Sequence, residues 1–501
     1  MNLSKQALFF RRPASARWLL LLVPLFVLLA RLQVEVAWFQ QFNLEEVYLK
    51  RIGLQGAGGA AALGLAVLTT VWRQKWMAAY EPTPRGELPA LRGRTYALCL
   101  ASTLLVLLSV LVVYTRLAWL ALSQPFLLAH WWSVPFQSTW PLFTLSILLI
   151  LTITFGLTRS HRLGLAHLYG SACFCLITAR AWGLWALALT IPDANRFEPL
   201  LGADVSFGLG RFSAMALALE LLLLHLLLVL STAIWSRLTR SPCLSDWGFP
   251  GWTPQERRLL RPLLAALFLV LAALLWLSRH QLLWTQNDVV AGAGWLDVHL
   301  VLPLRDGGTV LLLFLAATTC PWPGVSSRRR RGVRGVVVAL AMVLLLAELL
   351  LAPLLQWMVV RPREFQLEKP FLSHAITATR DAFQLDGMTT RPYNPSKQLE
   401  ADDLVRGEST LKNIRLWDSQ PLLASNRQLQ QLRVYYRFAR AAVDRYPLRP
   451  DRKERQQVMM AARELDQTAL PRRSRTWQNK HVVFTHGFGF TRNPVNTSAP
   501  A

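Results

Sequence analysis

From Arg361 to Ala501 the chain has no cysteine and no apolar run long enough to cross a bilayer. The first absence excludes a disulfide-stapled fold for this stretch, which has to rely on its own core. The second confines any membrane spans to residues 1–360. The chain as a whole lacks a P-loop, an H-E-x-x-H pair, an EF-hand loop and a G-x-S-x-G nucleophile elbow. Asp402 and Asp403 lack the spaced oxygen ligands of a calcium loop. Gly292 and Gly294 lack the third glycine and the strand–turn–helix setting of a dinucleotide fingerprint. No metal and no cofactor is expected. Acidic residues are scarce, 29 against 54 Lys and Arg, for a net charge of +25. That excess forms no single stripe or arm, so nucleic acid is not an expected partner.

Apolar residues are abundant. They make up 53% of the chain, with 20 Trp, and they cluster in long uncharged blocks. An uncharged block of some 18 residues or more reads as a transmembrane helix. The expected fold is an α-helical polytopic membrane domain of about 7–9 transmembrane helices at 1–360, followed by an α+β extramembrane domain at 361–501. The spans are placed at 18–39, 52–72, 96–115, 139–158, 163–191, 213–235, 262–278, 309–325 and 335–360. The stretch 117–132, broken by Pro125 and flanked by Trp131 and Trp132, reads as interfacial. The block at 52–72 is rich in glycine, including Gly58, which suits close helix–helix approach in lipid. All five cysteines precede residue 361, and Cys173 and Cys175 read as small core residues of an apolar helix.

Positive charge orients these spans. Segments Lys5–Arg17, Arg73–Arg94, Arg159–Arg162, Arg237–Arg261 and Arg328–Arg334 alternate with poorer loops that carry Arg31, Lys50 and Arg51, then Arg116, then Arg196 and Arg211, then Arg279 and Arg305. Retention of Lys and Arg in the cytoplasm then predicts a cytoplasmic N-terminus and an extracytoplasmic 361–501 domain, for nine spans or for seven. That domain carries 24 Lys and Arg against 14 Asp and Glu, a net of +10. Membrane lipids are expected partners, and an envelope protein or anionic envelope polymer suits the basic domain. A plain solvated basic surface is the simpler reading of the same charge.

Arg180, Glu220, His225 and Glu348 fall inside expected spans, where a charge is costly and faces the bundle interior or water. Glu220 and His225 are separated by about 140° around a helix and so do not share a face. An Arg180–Glu220 pair between neighbouring helices is one arrangement. A proton or substrate path is the functional reading of these groups, and structural pairing is the bland one. In the outer domain, HVVFTHGFGFTRNPVN at 481–496 is the sharpest motif, with His486, Gly487, Gly489 and Asn496 as candidates. A strand at 482–485 running into glycines resembles the oxyanion loop of α/β-hydrolases. Without a nucleophile elbow, a glycine-permitted turn carrying a packed histidine is preferred. The rest of the domain reads as an extended exit at 361–370, helices at 373–385 and 426–432, and strands at 433–438 and 456–461.

Several stretches in the same order carry a family resemblance: VAWFQQF (36–42), GAGWLDVHLVLP (292–303), REFQLEKPFLSHAITATRD (363–381), NIRLWD (413–418), QLQQLRVYYRF (428–438), AREL (462–465) and THGFGFTRNPVN (485–496). The chain resembles the bacterial multi-pass membrane proteins of uncharacterised protein family 0182. The resemblance implies an integral membrane protein of the cell envelope with a large extracytoplasmic domain, and no catalytic residues. Family members look much longer, so the outer domain is expected to be incomplete, with a second polypeptide as one source of the remainder. A membrane-anchored binding or structural envelope protein is the leading expectation. A transporter using the buried charges is the alternative, and an envelope-modifying enzyme built on His486 comes after it.

Overall fold

A chain crossing lipid has to satisfy its own backbone N–H and C=O groups, so long uncharged runs become helices. The computed structural model describes residues 14–79, 91–134, 160–285, 291–319, 327–395, 398–430, 433–447 and 455–497. The first helices are α1 (Ala14–Gln40), α2 (Glu45–Ala78), α3 (Arg94–Ser123), α4 (Ser160–Arg180) and α5 (Trp182–Thr190). They are followed by α6 (Phe212–Leu238), α7 (Pro254–Ser278), α8 (Leu302–Thr319), α9 (Ser327–Leu346) and α10 (Glu364–Ala382). Among the described residues seven helical stretches are long and apolar enough to cross a membrane, from Glu45–Ala78 to Gly332–Ala382. This is a multi-pass α-helical membrane protein. The expected span at 139–158 lies outside the described residues, and the one at 18–39 falls within α1.

Helix-rich packing places the core between α3, α4 and α6. Leu107, Leu111, Tyr114, Ile177, Leu221 and Leu228 are among its fully buried members. Gly58 of α2 faces Thr178 of α4 so closely that a Cβ there would stand 3.2 Å from the Thr178 carbonyl oxygen. Its lack of a side chain lets the two backbones approach, as the glycine-rich block suggested. A second cluster joins α2, α6 and α7 through Trp76, Leu230, Ala233 and Leu260. There the Trp76 indole donates to the Ala233 carbonyl at 3.1 Å, which satisfies the indole's one polar group inside the packing.

The final helix corrects the expected extended exit at 361–370: helical backbone continues to Ala382. Proline removes a donor and crowds the carbonyl four residues earlier. Pro353 and Pro362 would crowd Leu349 and Met358, and both of those lie in π-helical turns, Ala347–Leu351 and Gln356–Val360. The wider turns, and a 3-10 turn at Arg361–Arg363, absorb the prolines without ending the helix. Ser373, expected near a helix start, is therefore mid-helix. The eighth helix also begins earlier than expected, with a π turn at Asp297–Val301 leading into α8.

Between α5 and α6 the connection 191–206 is organised by Asp204. Its carboxylate accepts from the N–H groups of Ala194 at 3.1 Å and Ser206 at 2.8 Å. The Ser206 side chain beside it, together with these amides, holds the carboxyl down at about 2, below its ordinary 3.8. A depressed carboxyl stabilises the folded loop above the unfolded value, and that contribution disappears as pH falls through the folded one. Amide exchange at Ala194 and Ser206 is expected to stay slow above the ordinary carboxylate range and to accelerate as pH drops towards about 2. In Asp204→Ala the same amides should exchange fast at every pH, and slow exchange there would contradict the assignment.

The chain divides into two compact units, Met1–Gly387 and Met388–Ala501. In the first, β1 (Leu91–Arg92) and β2 (Gly248–Phe249) pair antiparallel; in the second, β3 (Tyr436–Pro447), β4 (Arg455–Leu465) and β5 (Gly489–Pro494) form an antiparallel sheet in the order β3-β4-β5. Tyr436 pairs with Leu465 and Arg463 with Gly489, and a bulge interrupts β3 between Phe438 and Ala441. Helix α11 (Ser419–Gln430) brings Leu422 onto Met459 and Val495 to make the core of this unit. The expected strand at 433–438 starts later and runs longer, and the one at 456–461 is extended at both ends. At 482–485 the structure has no strand: a π-helical turn occupies Asn479–Val483. The Asn479 N–H and side-chain amide bond the Thr476 hydroxyl and Ser474 carbonyl, which closes the turn locally.

Candidate functional site

Three groups of polar side chains are built into the first unit. The most enclosed lies between α2, α4 and α6. His225 of α6 is wholly buried and His167 of α4 is 2% exposed. Their ring centroids are 6.1 Å apart, and Phe174 stacks on the His225 ring at 4.8 Å. His225 Nε2 lies 3.0 Å from the Thr69 hydroxyl and His167 Nε2 lies 3.4 Å from the Thr70 hydroxyl. Helix geometry assembles the group: Thr69 and Thr70 are adjacent on α2, and His167, Ser171 and Phe174 recur at i, i+4 and i+7 along one face of α4. The sequence pointed to His225 alone. His167 sits within an expected span, and a histidine inside a span is the signal that could have found it.

Glu220 and Arg180 do not pair with each other. Glu220 accepts from the Trp131 indole at 2.8 Å, and Arg116 lies over the Trp131 ring at 5.7 Å. Arg180 turns its Nε toward the Ala121 carbonyl at 3.3 Å. The interfacial stretch expected at 117–132 supplies these partners, its second half forming a 3-10 segment over Pro125–Ser133.

Glu348 is paired with Arg305 at 2.8 Å, and Arg305 also donates to the Ser278 carbonyl at 2.6 Å. Arg305 is therefore part of α8 rather than of a loop. Beside it, both carboxylate oxygens of buried Glu368 accept from the Trp295 N–H, at 3.1 and 3.0 Å. Two of the motif stretches, GAGWLDVHLVLP and REFQLEKP, thus meet in space. Asp297, Arg305, Glu348, Gln356 and Glu368 contribute to the wall of a cavity of about 350 Å³. Outside these groups, the ion pair of Arg237 with Glu256 is also deeply buried, at 6% and 0% side-chain exposure. Glu256 also closes a capping box with Thr253 at the start of α7. The T-x-x-E spacing announces that cap in the sequence. Its ion-pair partner was counted among loop charges.

In the second unit, His486 is exposed rather than packed, with its Nδ1 2.9 Å from the Thr485 hydroxyl. Gly487 has φ of +138°, and its carbonyl accepts from Arg463 Nε at 2.8 Å. The Arg463 guanidinium in turn lies over the Tyr436 ring at 4.8 Å. Gly489 opens β5, and Asn496 accepts from the Gln456 side chain at 2.7 Å. The four motif residues therefore serve the strand β5 and its two ends. Among the described residues no group of three or more His, Cys, Asp and Glu is placed to hold a metal ion.

A family model described as an uncharacterised protein family, UPF0182, matches residues 14–501. The chain is 60% identical over 481 residues to a UPF0182 protein of Synechococcus sp. (strain CC9311), covering 96% of this chain and 51% of the relative. A UPF0182 protein of Prochlorococcus marinus (strain MIT 9303) is 53% identical over 487 residues, with 96% and 51% covered. One of Synechococcus elongatus is 34% identical over 504 residues, with 94% and 51% covered. The chain spans about half the length of the curated relatives it matches. No solved structure matches it. Matched from the first described helix to its last residue, the chain belongs to the uncharacterised protein family UPF0182.

Proposed function

We propose that this chain is a non-enzymatic membrane protein of the bacterial cell envelope, holding its C-terminal α+β unit on the extracytoplasmic side. The observation that carries this reading is the alternation of Lys- and Arg-rich with Lys- and Arg-poor segments between the apolar blocks. The net charge of +10 at 361–501 supports an anionic envelope polymer, or a protein with an acidic face, as the partner of that unit. In a background with the native cysteines replaced, Ser409→Cys should react with a membrane-impermeant maleimide in right-side-out vesicles. Lys75→Cys, at the opposite end by the same charge argument, should react only after permeabilisation. The reverse pattern would sink the reading.

A second reading, transport through the helix bundle, is favoured by the His167–His225 group. Polar atoms wholly enclosed between three spans are costly to place there and suit a path across the bundle. Its test is solute or ion flux in vesicles reconstituted with the full chain.

A further inference from the structure

The cavity where the two motif stretches meet has a carboxylate in its wall that no cation of the chain balances. Glu368 is 4% exposed. Both of its oxygens share a single donor, the Trp295 N–H, at 3.1 and 3.0 Å. An ionised carboxylate accepts up to about four hydrogen bonds, so most of that capacity is unused. No Lys, Arg or His among the described residues pairs with it, and the charged groups that bear on it, Asp297 and Glu364, are themselves acids. Arg305, the cation in the same wall, is committed elsewhere. Its Nε and Nη2 donate to Glu348 at 3.0 and 2.8 Å, and its Nη1 donates to the Ser278 carbonyl. A buried carboxylate is costly unless a positive charge or hydrogen-bond donors meet it.

We propose that this cavity binds a small organic cation, with its primary ammonium group on Glu368 and its hydrocarbon part against the apolar wall. The unused lone pairs of Glu368 call for N–H donors as well as positive charge. A primary ammonium supplies both, whereas a quaternary ammonium supplies only the charge. The rest of the lining suits a hydrocarbon: Leu282, Leu296, Val301, Ala352 and Pro353. At about 350 Å³ the cavity has far more room than one bare ion needs, and its size and mixed lining match a small-molecule site. Its backbone is unusual as well. Asp297, Glu348 and Gln356 stand on three separate π-helical turns, Asp297–Val301, Ala347–Leu351 and Gln356–Val360. Such turns are rare and concentrate at functional sites. They accommodate prolines here, and each also delivers a polar side chain to the same wall. The proposal goes beyond the envelope-protein reading and needs neither that reading nor transport.

The test uses the full chain in nanodiscs of zwitterionic lipid, with protein-free nanodiscs as the blank and radiolabelled n-butylammonium as the probe. Binding to the wild type should saturate. Glu368→Gln keeps the size of the side chain and an acceptor for the Trp295 N–H, and it should weaken binding at least about tenfold. Unlabelled n-propylammonium should displace the probe, and n-butyltrimethylammonium, which has no N–H to donate, should not. No saturable binding, or equal binding to Glu368→Gln, would overturn the proposal. Displacement by the trimethyl compound would overturn the primary-ammonium assignment, and displacement by an equal concentration of sodium chloride would give the site to an inorganic cation instead. Infrared spectra of the probe-free protein check the charge itself. A protonated-carboxyl band that disappears in Glu368→Gln would show a neutral acid, and the proposal would fall. If Glu368→Gln does not fold, saturation and the two competitions on the wild type decide the matter.

Discussion

Glu256→Ala is expected to be among the most damaging single substitutions in the membrane unit. Glu256 has no exposed side-chain surface, and its partner Arg237 is 6% exposed. Removing the carboxylate leaves the guanidinium charged in a place that water reaches poorly, and breaking a buried pair in this way costs roughly 3–5 kcal/mol. The same change withdraws the oxygen that accepts from the Thr253 N–H at 2.9 Å, opening the first turn of α7. Thr253→Ala isolates the cap and should cost about 1 kcal/mol. An exposed pair gives the contrast: Lys50 and Glu46 are 70% and 78% exposed, and their separation should cost under about 1 kcal/mol. Thermal unfolding of detergent-solubilised protein reads all three. The combination Arg237→Met with Glu256→Leu should recover most of the loss, because the charge is removed with its partner. A Glu256→Ala protein that melts with the wild type would show that Arg237 is compensated by other contacts.

The membrane architecture was legible because lipid makes its demands locally. A span needs length and apolarity and nothing from the rest of the chain, so the spans could be counted before their packing was known. What failed was set by particular residues. Pro362 and Pro370 read as helix stops, as they would in water, but π and 3-10 turns around 347–363 carry the helix past Pro362, and Pro370 lies inside α10. Arg305 and Arg237 read as loop charges because their partners, Glu348 and Glu256, lie 43 and 19 residues away in sequence, respectively. Pairing at that distance is a product of packing and has no local signature. Glu220 illustrates the same limit: a carboxylate in a span has to find a donor, but nothing in the sequence singles out the Trp131 indole over Arg180. Of the histidine pair His225 was singled out and His167 was missed, although a histidine inside a span marks both in the same way.

Gly487→Ala is the second substitution expected to have a large effect, and it tests what the THGFG motif is for. Gly487 has φ of +138°, a conformation that an L side chain rarely adopts; strain of this kind costs about 1–3 kcal/mol. A Cβ there would also collide with the Tyr436 ring, which is held from its other neighbour by Arg463. Overpacking of that kind adds about 1–3 kcal/mol. Both costs fall on the approach to β5, the edge of a three-stranded sheet, and the loss should release β5 from β4. Amide exchange across Gly489–Pro494 in the full chain should accelerate while that of α6 is unchanged. Tyr436→Ala on top of Gly487→Ala removes the collision and leaves the backbone strain, so it should restore protection only in part. Gly489→Ala is the milder control: its Cβ would meet only the end of the flexible Arg463 side chain, at 3.2 Å. His486→Ala should leave protection as it is, since that ring is exposed and its Nδ1 bonds the neighbouring Thr485 hydroxyl. If His486→Ala released β5 as Gly487→Ala does, the histidine would be a structural part of the turn. If it spared the strand but abolished a measured envelope phenotype, the histidine would act chemically, and the proposed non-enzymatic reading would fall.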